Sequence, residues 1–165
     1  LVGVGLLLPV ATALSWPRLR QIDSRAPAPK FTDLLQGVGI LAPLPLMSLE
    51  RLAASLTEVR LPAGATVIRV GEPGDRFYVI GEGQVGIEGK TFGPGSSFGE
   101  IALLRDVPRT ATVTAVTDVV LLALEREEFL AAVTGHEQAN AVAEAVISRR
   151  LGEMRVGLTT GTGEA

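Results

Sequence analysis

Between Val59 and Leu124 the chain is written in short apolar runs cut by turn residues. The runs are Thr66–Val70, Phe77–Ile80, Val85–Ile87, Thr112–Val116 and Val119–Leu124. Between them lie Pro62-Ala63-Gly64, Gly71-Glu72-Pro73-Gly74-Asp75, Gly93-Pro94-Gly95 and Asp106-Val107-Pro108. Many short strands at close spacing, bounded by Gly and Pro, predict a closed all-β roll or barrel. Glycines cluster between Gly71 and Gly99, which suggests tight corners and backbone that approaches something closely.

On either side the period changes to that of a helix. Phe31–Gln36 predicts one short helix, and Gly37–Pro45 is broken by Gly and Pro. Ser48 is placed as an N-cap, followed by the stripe Leu49, Leu52, Ala53 and Leu56, in a helix of two to three turns that ends before Pro62. After the strands, Glu125, Glu127 and Glu128 stand where a helix dipole favours acids, and Phe129, Leu130 and Val133 supply an apolar face. Gly135 breaks that helix. A second runs from about Glu137 to Met154 on the stripe Val142, Ala143, Val146, Ile147, Leu151 and Met154. The Gly/Thr-rich end, Gly157–Ala165, is expected to be disordered.

The first residues carry a different signal. Leu1–Leu14 is apolar and uncharged, then come Trp16, Arg18 and Arg20. An apolar stretch, an interfacial aromatic and following basic residues describe the cytoplasmic end of a transmembrane helix, and Leu1 is then the start of an excised piece or tail. A signal peptide would place its basic residues first. The expected organisation is the end of a transmembrane helix over 1–16 and a juxtamembrane linker over 17–30. A helical lead-in and roll follow over 31–134, then a lid or transducing helix over 135–156 and the tail over 157–165.

Composition narrows the chemistry. The formal net charge is −3, with no basic footprint for nucleic acid. There are no cysteines, so disulfides, thiol catalysis and thiolate metal sites are excluded. His136 is the one histidine, which excludes a metal-holding jelly-roll enzyme built on several imidazoles.

The informative stretch is Phe98-Gly99-Glu100-Ile101-Ala102-Leu103-Leu104, followed by Pro108-Arg109-Thr110-Ala111-Thr112-Val113. Gly95–Gly99 is a loop of small residues, and Glu100–Leu104 suits a single helical turn. A loop opening into a helix offers free backbone N–H groups to an anion. Gly99 lets a ligand come close to the backbone, and the planar fork of Arg109 suits a phosphate held at two points. Glu100 would not favour a bare phosphate, but its carboxylate can accept a hydrogen bond from a sugar hydroxyl. A phosphate binder beside a carboxylate implies a nucleotide with an exposed ribose hydroxyl.

This run resembles the phosphate-binding cassette of cyclic-nucleotide-binding domains. Gly71–Ile80 with Gly81-Glu82-Gly83 resembles the family's glycine-bearing turn before a strand, and the likeness spans about Phe31 to Leu151. The resemblance implies a mainly β fold: an eight-stranded jelly-roll β-roll with N-terminal helices and two C-terminal helices. It also implies that Glu100 binds the ribose 2′-hydroxyl, Arg109 binds the cyclic phosphate, and Gly99, Ile101 and Ala102 offer backbone to the ligand. Thr110 would offer a hydroxyl to phosphate or base. Thr after the Arg accompanies cyclic GMP binding or dual specificity in the family; cyclic AMP is the expected ligand here, with no cofactor and no catalytic step. The terminal helices would move on binding and the last would lid the base. That helix departs from the family in having no aromatic, which leaves Leu151, Met154 or the stems of Arg149 and Arg150 as cover.

Two other motifs are decoys. Gly81–Gly86 fits a dinucleotide fingerprint, but no helix can open among the following glycines, and Gly89-Lys90-Thr91 lacks the first glycine of a P-loop. Glu127 and Glu128 are a solvated face and His136 is a surface or capping residue. The sequence therefore predicts an allosteric cyclic-nucleotide sensor on the cytoplasmic side of a membrane protein. The attached segment resembles the last helix of a major-facilitator-type transporter. The competing readings are a degenerate roll that only mediates protein contacts, and a transcription factor, for which Gly152–Ala165 is too short to hold a helix-turn-helix.

Overall fold

The computed structural model describes residues 24–25 and 31–159, with side chains from Phe31 to Glu153. The expected membrane segment and most of its linker lie outside these residues, as do the last residues of the tail. Among the described residues no helix is long and apolar enough to cross a membrane.

Two helices lead in, α1 (Thr32–Gly37) and α2 (Leu46–Ser55). The strands are β1 (Ser24–Arg25), β2 (Thr57–Leu61), β3 (Thr66–Ile68), β4 (Arg76–Glu82), β5 (Val85–Ile87), β6 (Lys90–Phe92), β7 (Ser97–Phe98), β8 (Val113–Ala115) and β9 (Val119–Glu125). The helical turn α3 (Glu100–Leu104) interrupts them, and α4 (Arg126–Thr134) and α5 (Glu137–Thr159) close the chain. The strands form two antiparallel sheets, ordered β1-β2-β9-β4-β7 and β3-β8-β5-β6. This is the mainly β roll with flanking helices that the sequence predicts. Its eight strands are β2 to β9; the two-residue β1 is a ninth, paired on the edge of β2 within the stretch expected to be a linker.

Burial explains the pattern. On β4, Tyr78 and Ile80 face the interior of the roll, whereas Phe77 and Val79 face the helices. On β9, Leu121 and Ala123 point inward and Leu122 and Leu124 outward. Both strands are covered on both faces, so they read as continuous apolar runs. The inner core joins Val59, Ile68, Val85, Phe98, Val113 and Ala115 to these residues. The outer core packs α1, α2, α4 and α5 on the back of the five-stranded sheet, with the Phe77 and Phe129 rings stacked at 4.3 Å.

Four local features differ from the sequence pattern. The helix stripe overruns: α2 stops at Ser55, and Thr57–Leu61 is a strand whose alternation buries Val59 and Leu61. Ser48 is not the N-cap. Pro45 holds that position with its fixed φ of −59°, and the Ser48 hydroxyl instead lies 3.4 Å from His136 Nε2. The strands β6 and β7 are missed, since β6 is a mostly exposed edge and β7 has two residues, too few for a period. Finally, α5 runs beyond Met154 to Thr159. The decoy motifs resolve as hairpins. At Gly83, φ is +79° and a Cβ would stand 2.1 Å from the Asp118 carbonyl oxygen, so only glycine fits. Glu88 and Gly89 make the positive-φ turn between β5 and β6.

Phe129 is fully buried against Phe77. Phe129→Ala is expected to cost about 3–5 kcal/mol, and Leu46→Ala, at a position 60 % exposed, to change stability by less than about 0.5 kcal/mol; urea unfolding of the two variants checks the pair.

Candidate functional site

The site is built around α3. The chain enters it through Gly99, at φ +94°, where a Cβ would lie 2.8 Å from Arg109 Nη1 and 3.0 Å from the Arg76 carbonyl oxygen. A side chain there would be strained by the backbone and blocked by the guanidinium. Glu100, the first residue of α3, is 1 % exposed, and Arg109 is 5 % exposed. Charges are seldom buried so deeply unless hydrogen-bonded or paired.

Arg109 is held by three acceptors. Its Nη1 donates to the Gly99 carbonyl at 3.1 Å, and its Nη2 to the Arg76 carbonyl at 2.8 Å and to Asp75 Oδ1 at 3.3 Å. Its own backbone N–H donates to the Glu72 carbonyl, and its carbonyl accepts from Gly71. The Gly71–Arg76 loop thus seats both the backbone and the head of Arg109. Glu100 has a different partner. Arg150 on α5 donates from Nη1 to Glu100 Oε1 at 2.5 Å and from Nη2 to the Ser97 carbonyl at 2.8 Å. The other carboxylate oxygen, Oε2, is buried without a hydrogen-bond partner. Glu100 and Arg109 are therefore not an ion pair with each other.

A cavity of about 540 Å³ opens between the four-stranded sheet, α3 and α5. That is within the usual size of a small-molecule pocket. Gly99, Glu100, Ile101, Ala102, Arg109 and Thr110 all line it. The structure thus brings together every residue that the sequence singles out for the ligand. Apolar walls come from Ile68, Ile87, Phe92 and Val113. Arg109 also borders a second hollow of about 550 Å³ on its far side, beside Asp75 and Tyr78. Burial, and then the neighbouring Asp75 carboxylate, raise the Tyr78 phenol above its ordinary value of 10.0, so it stays neutral.

The last helix does cover the cavity, through Arg149, Arg150 and Glu153. Leu151 does not line it, and the side chain of Met154 lies outside those described. Of the residues expected as cover, Arg149 and Arg150 are in place, and Glu153 joins them. Sequence reasoning named the arginine stems but missed what the heads do: Arg150 reaches Glu100, and Glu153 pairs with Lys90 on β6 at 2.8 Å. The signal was there in the i, i+3 spacing of Arg150 and Glu153, which puts both on one side of a helix. Farther up α5, Glu144 accepts two bonds from Arg105, at 2.6 and 3.1 Å. His136 caps α4, its Nδ1 standing 2.9 Å from the Ala132 carbonyl oxygen.

Residues 58–136 match the family model described as the cyclic nucleotide-binding domain. The chain is 39 % identical over 106 residues to a cAMP-dependent protein kinase regulatory subunit of Aspergillus niger, covering 60 % of this chain and 26 % of that one. It is 38 % identical over 106 residues to a cyclic nucleotide-gated potassium channel of Mesorhizobium japonicum, covering 59 % and 30 %. Among solved structures it is similar to the regulatory domain of Toxoplasma gondii PKA crystallised with cAMP, with a TM-score of 0.60 and 30 % identity over 62 % of this chain and 43 % of that one. The chain spans less than a third of the length of either curated relative.

The hydrogen bond from Lys90 is the main cause that holds the Glu153 carboxyl below its ordinary 4.5. A depressed carboxyl stabilises the folded state above its unfolded value, and this contribution fades as pH falls through the folded one. The α5–β6 tie should therefore persist at neutral pH and open in acid. In Lys90→Ala the Glu153 carboxyl is expected to titrate at higher pH than in the wild type, with Arg149 and Arg150 still lowering it, as followed by carboxyl carbon NMR.

Proposed function

We propose that this chain, whose residues 58–136 match the cyclic nucleotide-binding domain model, is a non-catalytic sensor whose ligand is cyclic AMP. The observation that carries the reading is that two buried, opposite charges line one cavity without pairing with each other, each held by partners of its own. Arg109 supplies a cation to the cyclic phosphate from a head already fixed at Gly99, Arg76 and Asp75. Glu100 supplies Oε2, an acceptor with nothing yet bound to it, to the ribose 2′-hydroxyl. Gly99, Ile101 and Ala102 border the ligand with backbone, and Thr110 stands beside Arg109 with a hydroxyl for phosphate or base. The base lies against the apolar wall, under the charged end of α5.

Binding would bias the placement of α5, which touches the cavity, and so send a signal along the chain. We place the receiver in the membrane. Leu1–Leu14, Trp16, Arg18 and Arg20 form the end of a transmembrane helix, the domain stands on the cytoplasmic side, and the whole belongs to a transporter of the major facilitator type. The support for this is the charge order of the first twenty residues alone.

Calorimetric titration of the full chain with cyclic AMP and cyclic GMP tests the reading, with thermal unfolding run alongside to confirm that each variant folds. The wild type is expected to bind cyclic AMP the more tightly. Arg109→Ala should lose roughly 100-fold in affinity, the worth of two charge-assisted hydrogen bonds. Equal affinity in folded wild type and Arg109→Ala would remove Arg109 from this role. Failure of the wild type to bind either nucleotide would leave a roll that only mediates protein contacts.

A further inference from the structure

The carboxylate of Glu100 is an awkward neighbour for the ligand proposed above. It is buried, and its cavity would also receive a phosphodiester anion. Arg109 is turned toward Gly99, Arg76 and Asp75, and has no hydrogen bond to Glu100. The cation that does meet Glu100 arrives from the far end of the chain: Arg150, 50 residues later, on α5.

We propose that Arg150 is a positioning residue for recognition of the sugar: it fixes one oxygen of Glu100 and so aims the other at the ligand's 2′-hydroxyl, which makes preference for ribose over 2′-deoxyribose depend on α5 being docked. This inference rests on the cyclic-nucleotide reading of the same cavity. Three features of the geometry carry it. The guanidinium is held at two points, Glu100 Oε1 and the Ser97 carbonyl, so it defines a plane for the carboxylate as well as offsetting its charge. Oε2 is left buried and unpartnered, a state that costs free energy until a donor arrives. And α5 is tied down on both sides of Arg150, by Arg105–Glu144 before it and Lys90–Glu153 after it, so the reach of Arg150 is set by the docking of the helix.

Without Arg150, the Glu100 carboxylate would be free to rotate its oxygens between the Ser97 side and the cavity, and would face the phosphodiester uncompensated. A point charge at the same place would offset the charge but could not hold both Glu100 and Ser97 in one plane. Arg150→Met keeps an apolar stem and removes the head. Arg150→Lys keeps the charge and removes the fork.

The test is titration of the full chain with cyclic AMP and with 2′-deoxy cyclic AMP, in wild type, Arg150→Met, Arg150→Lys, Glu100→Gln and the double variant Glu100→Gln with Arg150→Met. Wild type is expected to favour the ribose form by roughly ten-fold, the worth of one hydrogen bond to a charged acceptor. In Arg150→Met that ratio should fall to between about one and two, and Arg150→Lys should recover part of it. Adding Arg150→Met to Glu100→Gln should lower the ratio no further, since the two residues act as a unit. The inference is overturned if Arg150→Met weakens both ligands equally and keeps the wild-type ratio, the result expected of a merely structural residue. Unfolding of both Arg150 variants, seen by circular dichroism, overturns it equally. Absence of binding by the wild type to either ligand is the separate outcome in which the cyclic-nucleotide reading itself fails and this inference falls with it.

Discussion

A guanidinium that is almost wholly out of water sets the terms for the rest of this molecule. Burying a cation is costly unless its donors are satisfied, and Arg109 finds its acceptors on two segments far apart in sequence, the loop before β4 and the residue before α3. Those acceptors are mostly backbone carbonyls, whose positions depend on the path of the chain and not on a rotamer. The glycine at 99 follows from the same constraint, because any Cβ there would occupy the space of the head group. One buried charge thereby fixes the turn before β4, the entry to α3 and the wall of the cavity at once.

The opposite charge is handled differently. Glu100 meets a side chain on a helix that packs against the roll from outside, so one wall of the cavity is held by the fold and another by a docked element. The two differ in what they need in order to stay in place. Arg109 stays where it is as long as the strands hold. Glu100 keeps its orientation only while α5 is seated, which is the asymmetry one would want between the part of a site that captures and the part that reports.

How much of this was legible in the sequence depends on whether burial left a period behind. The strands β4 and β9 are apolar along their length because both faces are covered, and they were plain. The helical turn at Glu100–Leu104 was plain for another reason: small residues and glycine lead into a run that favours helix. The edge strand Lys90–Phe92 was not, since a strand open to solvent on much of its surface need not alternate. Thr57–Leu61 does alternate, but the stripe of α2 leads into it without a break, and Leu56 satisfies both periods. The six residues assigned to the ligand all line one cavity, because a motif local in sequence constrains local geometry. The partners Asp75, Arg150, Lys90 and Glu153 were out of reach for the converse reason. Their roles are set by contacts spanning 34 to 63 residues: the spacing of Arg150 and Glu153 puts both on one side of α5 but does not name Glu100 and Lys90 as their partners.

The two cores lie back to back across a single sheet, and this has a consequence for how substitutions would be felt. On β9, Leu121 and Leu122 are chain neighbours and both fully buried, yet they belong to different compartments, one inside the roll and one beneath the helices. Trimming the first would slacken the chamber and trimming the second would slacken the seat of the helices, although the two positions are a single peptide bond apart. A scan of conservative truncations along this one strand would therefore separate chamber from seat in alternating steps, like a comb with every second tooth touching a different instrument.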